Sequence, residues 1–135
     1  MAKDELELSD DGYCFGCGRN NPIGLKLDFV ETSDGGCVAR FTPGPEYQGW
    51  EGITHGGILT TLADEAMGRL VWMKGIRAVT AEMTIKFKRP ARSGTPLTIT
   101  GAIEGEEGRV LDCRSEIKGP DGTLIAEATA KMVRV

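Results

Sequence analysis

His55 is the only histidine in the chain, so a site built on several imidazoles is excluded. Aromatic residues are scarce, with 2 Trp, 2 Tyr and 4 Phe against 19 glycines, a balance that predicts short strands joined by many tight turns. No apolar run is long enough to span a bilayer, and no membrane partner is expected. The acidic start of the chain lacks the apolar core of a secretory signal, which gives the expectation of a cytoplasmic protein with reduced cysteines. Positive charge is not in surplus: the net charge is −4 and the pI is near 5.1, so nucleic acid is not an expected partner. A G-x-S-x-G nucleophile turn, a P-loop and a dinucleotide fingerprint are all missing.

What remains is 135 residues of ordinary globular composition, 40% hydrophobic and 27% charged. Residues 1–12 read as a flexible acidic segment and 13–135 as one domain. Leu25, Leu27 and Phe29 alternate with Lys26 and Asp28, predicting a strand that a Ser33–Gly36 turn returns through Cys37–Phe41. Residues 42–54 form a long loop, and loops of that length in a small domain usually carry function. From Gly56 to Lys74, Leu59, Leu62, Ala63, Ala66, Met67 and Leu70 fall on one apolar stripe, predicting a long helix stopped by Gly75.

The period then changes to two. Val79, Ala81, Met83, Ile85 and Phe87 alternate with Thr80, Glu82, Thr84 and Lys86 in a strand over 78–89 that ends before Pro90. Further strands are expected at 97–103, 110–117 and 124–133, with a turn over 104–108. This order predicts an α+β domain whose antiparallel sheet of about six strands is covered by one helix. The uncovered sheet surface predicts a homo-oligomer, with strand 78–89 the candidate for pairing across a dimer.

Chemistry concentrates at the helix entrance. His55-Gly56-Gly57 puts unpaired backbone N–H groups and the positive end of the helix dipole beside glycines that admit a ligand closely, an arrangement suited to a developing oxyanion. The same three residues could equally do no more than cap the helix. Two acids follow. Glu65 stands four residues before Arg69, a favourable surface pair. Asp64 has no such partner and lies about 120° from the centre of the apolar stripe, on its shoulder. Near an oligomer seam a carboxylate is partly desolvated and becomes a better base or nucleophile. Lys86, Lys88, Arg89 and Arg92 are a basic cluster suited either to phosphates or to protecting a strand edge. Trp50 and Tyr47 either line a substrate tunnel or anchor the loop. Cys14 and Cys17 form a C-x-x-C, read as a compact turn with buried thiols and no metal. Zinc, the alternative, would need Cys37, Cys113 or a partner chain.

These residues together resemble the hotdog-fold acyl-CoA thioesterases of the phenylacetate-pathway (PaaI-like) type. The resemblance rests on His-Gly-Gly-Ile-Leu-Thr-Thr-Leu-Ala-Asp-Glu-Ala at 55–66, on Val79-Thr80-Ala81-Glu82-Met83 and on Phe87-Lys88-Arg89-Pro90-Ala91. Cys14-Phe15-Gly16-Cys17-Gly18, with Asn21-Pro22 and Gly24-Leu25, is similar to a subgroup of the same family. The resemblance implies a hotdog fold, a curved antiparallel sheet around a central helix. It implies a homodimer, commonly a homotetramer, with two active sites at the dimer interface.

It also implies roles. Asp64 matches the family's catalytic carboxylate, acting as general base or nucleophile. The Gly56 N–H, beside Gly57, polarises the thioester carbonyl while His55 fixes the loop, and Thr80 supplies a hydroxyl from the facing subunit. Lys88, Arg89, Arg92 and Trp50 are candidate coenzyme A contacts, and no cofactor is needed because coenzyme A belongs to the substrate. Related enzymes often carry Asn or Gln six residues before the histidine; here that position is Gly49, and Gln48 is the nearest candidate. A hydratase or dehydratase acting on acyl thioesters and a non-catalytic acyl-CoA-binding module are the alternatives.

Overall fold

Seven apolar positions of one helix organise the domain. The computed structural model describes residues 6–135, so the first five residues of the acidic segment lie outside the described residues. The helix α1 runs Gly56–Met73 and buries Leu59, Leu62, Ala63, Ala66, Met67, Leu70 and Val71. The predicted stripe is therefore correct, extended by Val71. At 1.5 Å per residue its 18 residues span about 27 Å, enough to cross a sheet of several strands.

The strands are β1 (Val30–Glu31), β2 (Cys37–Phe41), β3 (Ala78–Phe87), β4 (Leu97–Glu107), β5 (Val110–Lys118) and β6 (Leu124–Arg134). They form one antiparallel sheet in the order β1-β2-β4-β5-β6-β3. Helix α1 packs against β2, β3, β4, β5 and β6 and fills one face of the sheet. It comes close at Gly101 on β4, where a Cβ would lie 2.7 Å from the carbonyl oxygen of Ala66, so only glycine admits the helix at this depth. Strand β3 forms one edge of the sheet, where a row of backbone N–H and C=O groups has no neighbouring strand.

Three expectations change. The segment Leu25–Phe29 is not a strand. Leu25, Leu27 and Phe29 are buried as the alternation requires, but Lys26 adopts φ 56°, which breaks an extended run. Leu25 and Leu27 instead donate their N–H groups to Phe15 O and Gly16 O, at 2.8 and 2.9 Å. The hairpin between β4 and β5 is tighter than predicted, since β4 continues to Glu107 past an irregularity between Ile103 and Gly105. Strand β3 ends at Phe87, because the N–H groups of Lys88 and Arg89 both turn to Ile125 O.

Strand β3 also carries a bulge. Thr80 stands opposite Met132 and Glu82 opposite Lys131, leaving Ala81 as the extra residue. Directly opposed residues share a face of the sheet. Beyond the bulge Met83, Ile85 and Phe87 face the buried Ala130, Ala128 and Ala126, as the alternation predicts. Before it, Thr80 shares a face with the buried Met132, so the bulge turns Thr80 from the polar face towards the helix.

Candidate functional site

His55 is the N-cap of α1, with extended backbone (φ −61°, ψ 136°), and its Nδ1 accepts the Gly57 N–H at 2.8 Å. An imidazole that accepts at Nδ1 carries its proton on Nε2. The His55 N–H goes to Tyr47 O at 2.8 Å, fastening the cap to the loop before it. With Gly57 committed to His55, the Gly56 N–H remains the donor for a ligand, since the first N–H groups of a helix have no intrahelical acceptor. Glu46, Tyr47, Gln48, His55, Gly57 and Ile58 line a cavity of about 360 Å³ at this point. The structure thus brings together His55, Gly57 and Gln48.

The loop explains Gln48 differently from the resemblance. Its Oε1 accepts the Gly52 N–H at 3.1 Å, and its backbone bridges to Thr54. The side chain closes the 48–52 turn at the mouth of the cavity. Trp50, at the tip of that turn, is 83% exposed and does not anchor the loop to the core. Tyr47 does, through a tilted ring contact with Phe41 at 5.6 Å.

Asp64 lies two turns further along α1, half-buried, and its Oδ1 accepts the Thr80 hydroxyl at 2.8 Å. The donor is Thr80 of the same chain, where the resemblance implies one from the facing subunit. Asp64 stands eight positions after Gly56 on the helix, a rise of about 12 Å. One chain therefore cannot hold its Gly56 N–H and its Asp64 against the same carbonyl group. The helix end and the Thr80–Asp64 pair are thus two separate places on one chain.

The basic cluster divides. Arg89 and Arg92 line a cavity of about 670 Å³ together with Thr95 and Thr123. Lys88 does not line it; its ammonium turns to Glu127 at 3.8 Å. Arg114 also bonds Glu127, at 2.8 Å, and this guanidinium holds the Glu127 carboxyl below the usual carboxylate range.

The other shoulder of α1 departs from the sequence reading. Arg69 pairs with Asp10 at 3.3 Å, and Glu65 turns to the C-x-x-C turn, where its two oxygens lie 3.5 and 3.6 Å from Cys14 Sγ. The turn is compact, closed by Gly18 N–H to Cys14 O at 2.9 Å, but its thiols are not both buried: Cys14 is exposed and Cys17 half-buried. Burial, and then Glu65 and Cys14 beside it, push the Cys17 thiol well above its ordinary range. Cys37 and Cys113 are buried in the sheet, where desolvation pushes each thiol up to about 11. Sequence reasoning missed Glu65 because the i,i+4 arginine offered a sufficient explanation for it.

A family model described as thioesterase superfamily matches residues 51–126. The chain is 32% identical over 133 residues to the acyl-coenzyme A thioesterase THEM4 of Bos taurus, covering 97% of this chain and 55% of that protein. The chain spans about half the length of the curated relatives it matches first. Among solved structures, the PaaI protein of the Escherichia coli phenylacetic acid degradation operon superposes with a TM-score of 0.76 at 27% identity, covering 82% of this chain and 84% of that one. A hypothetical thioesterase protein of Streptococcus pneumoniae, solved with coenzyme A, superposes with a TM-score of 0.75 at 24% identity, covering 81% and 85%.

Proposed function

The chain belongs to the thioesterase superfamily, and from that premise we propose that it hydrolyses an acyl- or aryl-CoA thioester to the free acid and coenzyme A. The observation that supports this reading is a half-buried Asp64 held by Thr80, on the same helix whose first turn, with Gly57 bound to His55, leaves the Gly56 N–H for a ligand. A second copy that supplied the complementary group would remove their separation of about 12 Å within one chain. The exposed edge of β3, which carries Thr80, is the surface through which a homodimer would bring them together. Two such dimers would make the homotetramer, and we place the protein in the cytoplasm.

In the reaction, the thioester oxygen accepts the Gly56 N–H and the positive end of α1 stabilises the negative charge that develops there. Asp64 from the other chain either takes a proton from water, which attacks the carbonyl carbon, or attacks directly and forms an anhydride that water then opens. In both routes the carbon–sulfur bond breaks and the coenzyme A thiolate leaves and takes up a proton. Thr80 fixes the rotamer of Asp64. Arg89 and Arg92 are suited to the phosphates of the coenzyme A moiety, whereas Lys88 is already paired with Glu127. The hydratase reading is weakened by His55, whose Nδ1 is used in capping α1.

The test is a panel of short, medium, long and aromatic CoA esters, assayed for thiol release with the wild-type protein and Asp64→Asn side by side. Turnover by the wild type and loss of most of it in the variant are expected. No turnover across the panel would overturn the reading. Tight binding without hydrolysis, unchanged by Asp64→Asn, would favour an acyl-CoA-binding module instead.

A further inference from the structure

We propose that Cys14, Cys17 and Glu65 form a binding site for one thiophilic divalent cation, best matched by Zn²⁺, that ties the N-terminal turn to helix α1. The proposal stands on geometry and is independent of the thioesterase reading. One ligand atom from each of the three residues lies within 4.8 Å of the other two. A tetrahedral zinc ion with thiolate and carboxylate ligands at their usual lengths imposes a sulfur–oxygen separation of about 3.6 Å. The Cys14 Sγ to Glu65 separations are 3.5 and 3.6 Å.

The surrounding chain is shaped around this meeting. A Cβ at Gly16, between the two cysteines, would lie 2.5 Å from the Glu65 carboxylate, so glycine is required for Glu65 to enter the turn. Hydrogen bonds from Leu25 and Leu27 to Phe15 O and Gly16 O hold the turn from its other side, and the Asn21 amide donates to Tyr13 O at 2.9 Å. The turn that carries the two cysteines is thus held to the 21–27 segment by contacts independent of their sulfurs.

The donor set selects the ion. Two sulfurs and one carboxylate oxygen suit Zn²⁺ and disfavour Mg²⁺ or Ca²⁺, which take oxygen ligands. Binding would release the two thiol protons to solvent, leaving two thiolates and a carboxylate on the ion. Among the described residues no fourth histidine, cysteine or carboxylate joins the group. A cavity of about 410 Å³, lined by Asp10, Asp11 and Tyr13 as well as by the three ligands, leaves the fourth position open to solvent. The ion would be held on the shoulder of α1 opposite Asp64.

The experiment uses the full chain, reduced and stripped with a chelator, then loaded with ZnCl₂ or CoCl₂ and desalted. About one zinc per chain is expected by mass spectrometry of the metal, and the cobalt form should show thiolate-to-cobalt charge-transfer absorption in the near ultraviolet. Cys14→Ser/Cys17→Ser should lose both signals, and Glu65→Gln should weaken zinc at least about tenfold in competition with a chromophoric chelator. Circular dichroism identifies a variant that has failed to fold. In that case the wild type decides alone: zinc must raise its unfolding temperature, and alkylation of Cys14 and Cys17 must abolish that rise. Substoichiometric zinc in the reduced wild type, or cobalt bound without charge-transfer absorption, would overturn the proposal. So would a folded Cys14→Ser/Cys17→Ser variant that binds zinc as tightly as the wild type.

Discussion

The hydroxyl of Thr80 donates to Asp64 Oδ1 at 2.8 Å, joining the exposed edge strand to the middle of α1 within one chain. The bond exists because the bulge at Ala81 puts Thr80 on the helix side of β3. It predicts unequal roles for the two residues. Asp64→Asn should lower kcat on a CoA ester at least about 100-fold, as loss of a general base or nucleophile does. Thr80→Ala leaves the carboxylate but frees its rotamer, and should cost about tenfold in kcat with little change in KM. Steady-state thiol release measures both, and a Thr80→Ala loss equal to that of Asp64→Asn would contradict the positioning role.

Sites shared between chains can be tested by complementation. Gly56→Pro removes the ligand-facing N–H while suiting the first position of a helix, and the extended backbone of His55 already has the conformation that a following proline requires. Gly56→Pro and Asp64→Asn should each be inactive alone. Dissociated, mixed and reassociated, they should recover about a quarter of wild-type activity, because half of the dimers are mixed and each of these holds one intact site of two. No recovery, with mixed dimers verified by native mass spectrometry, would argue against shared sites.

Arg89 and Arg92 should contribute to binding rather than to the chemical step. Arg89→Ala/Arg92→Ala is expected to raise KM for a CoA ester about tenfold or more and to leave kcat nearly unchanged. The corresponding pantetheine ester, which lacks the nucleotide phosphates, should show no such rise. Lys88→Ala should have little effect on either substrate, since that ammonium is occupied by Glu127.

Acid should destabilise the fold in a defined window. Arg114 lowers the carboxyl of Glu127, and the Gly12 N–H and then Arg69 lower that of Asp10, relative to ordinary carboxylates. A group whose folded value is depressed adds stability above its unfolded value, and that stability is lost as the pH falls through the folded value. The urea midpoint should therefore be flat near neutrality and fall below about pH 4. Glu127→Gln should make that fall shallower, and a midpoint that does not decline between pH 5 and pH 3 would contradict the assignment.

The helix and its contents were legible because a period of 3.6 over eighteen residues leaves little ambiguity. The strands after it were legible for the same reason at period two. What escaped were departures from periodicity. Nothing in Val79-Thr80-Ala81-Glu82 marks Ala81 as a bulge, since the bulge is set by how β3 meets β6 across the bend of the sheet. The Leu25–Phe29 alternation predicts the burial but not the backbone, because hydrophobic spacing reports which side chains go inside and not which backbone groups pair. The sequence pairs Glu65 with its nearest cation along the helix, whereas its partner lies about fifty positions earlier.

The contact between Gly101 and the Ala66 carbonyl works as a depth gauge for helix α1. It lies on the buried side of α1, away from Asp64, yet it sets how far α1 stands from the sheet and so the distance Thr80 must reach. An added methyl group there would lift the helix as a unit. The reach from Thr80 to the Asp64 carboxylate thereby depends on a residue far from both that has no side chain at all.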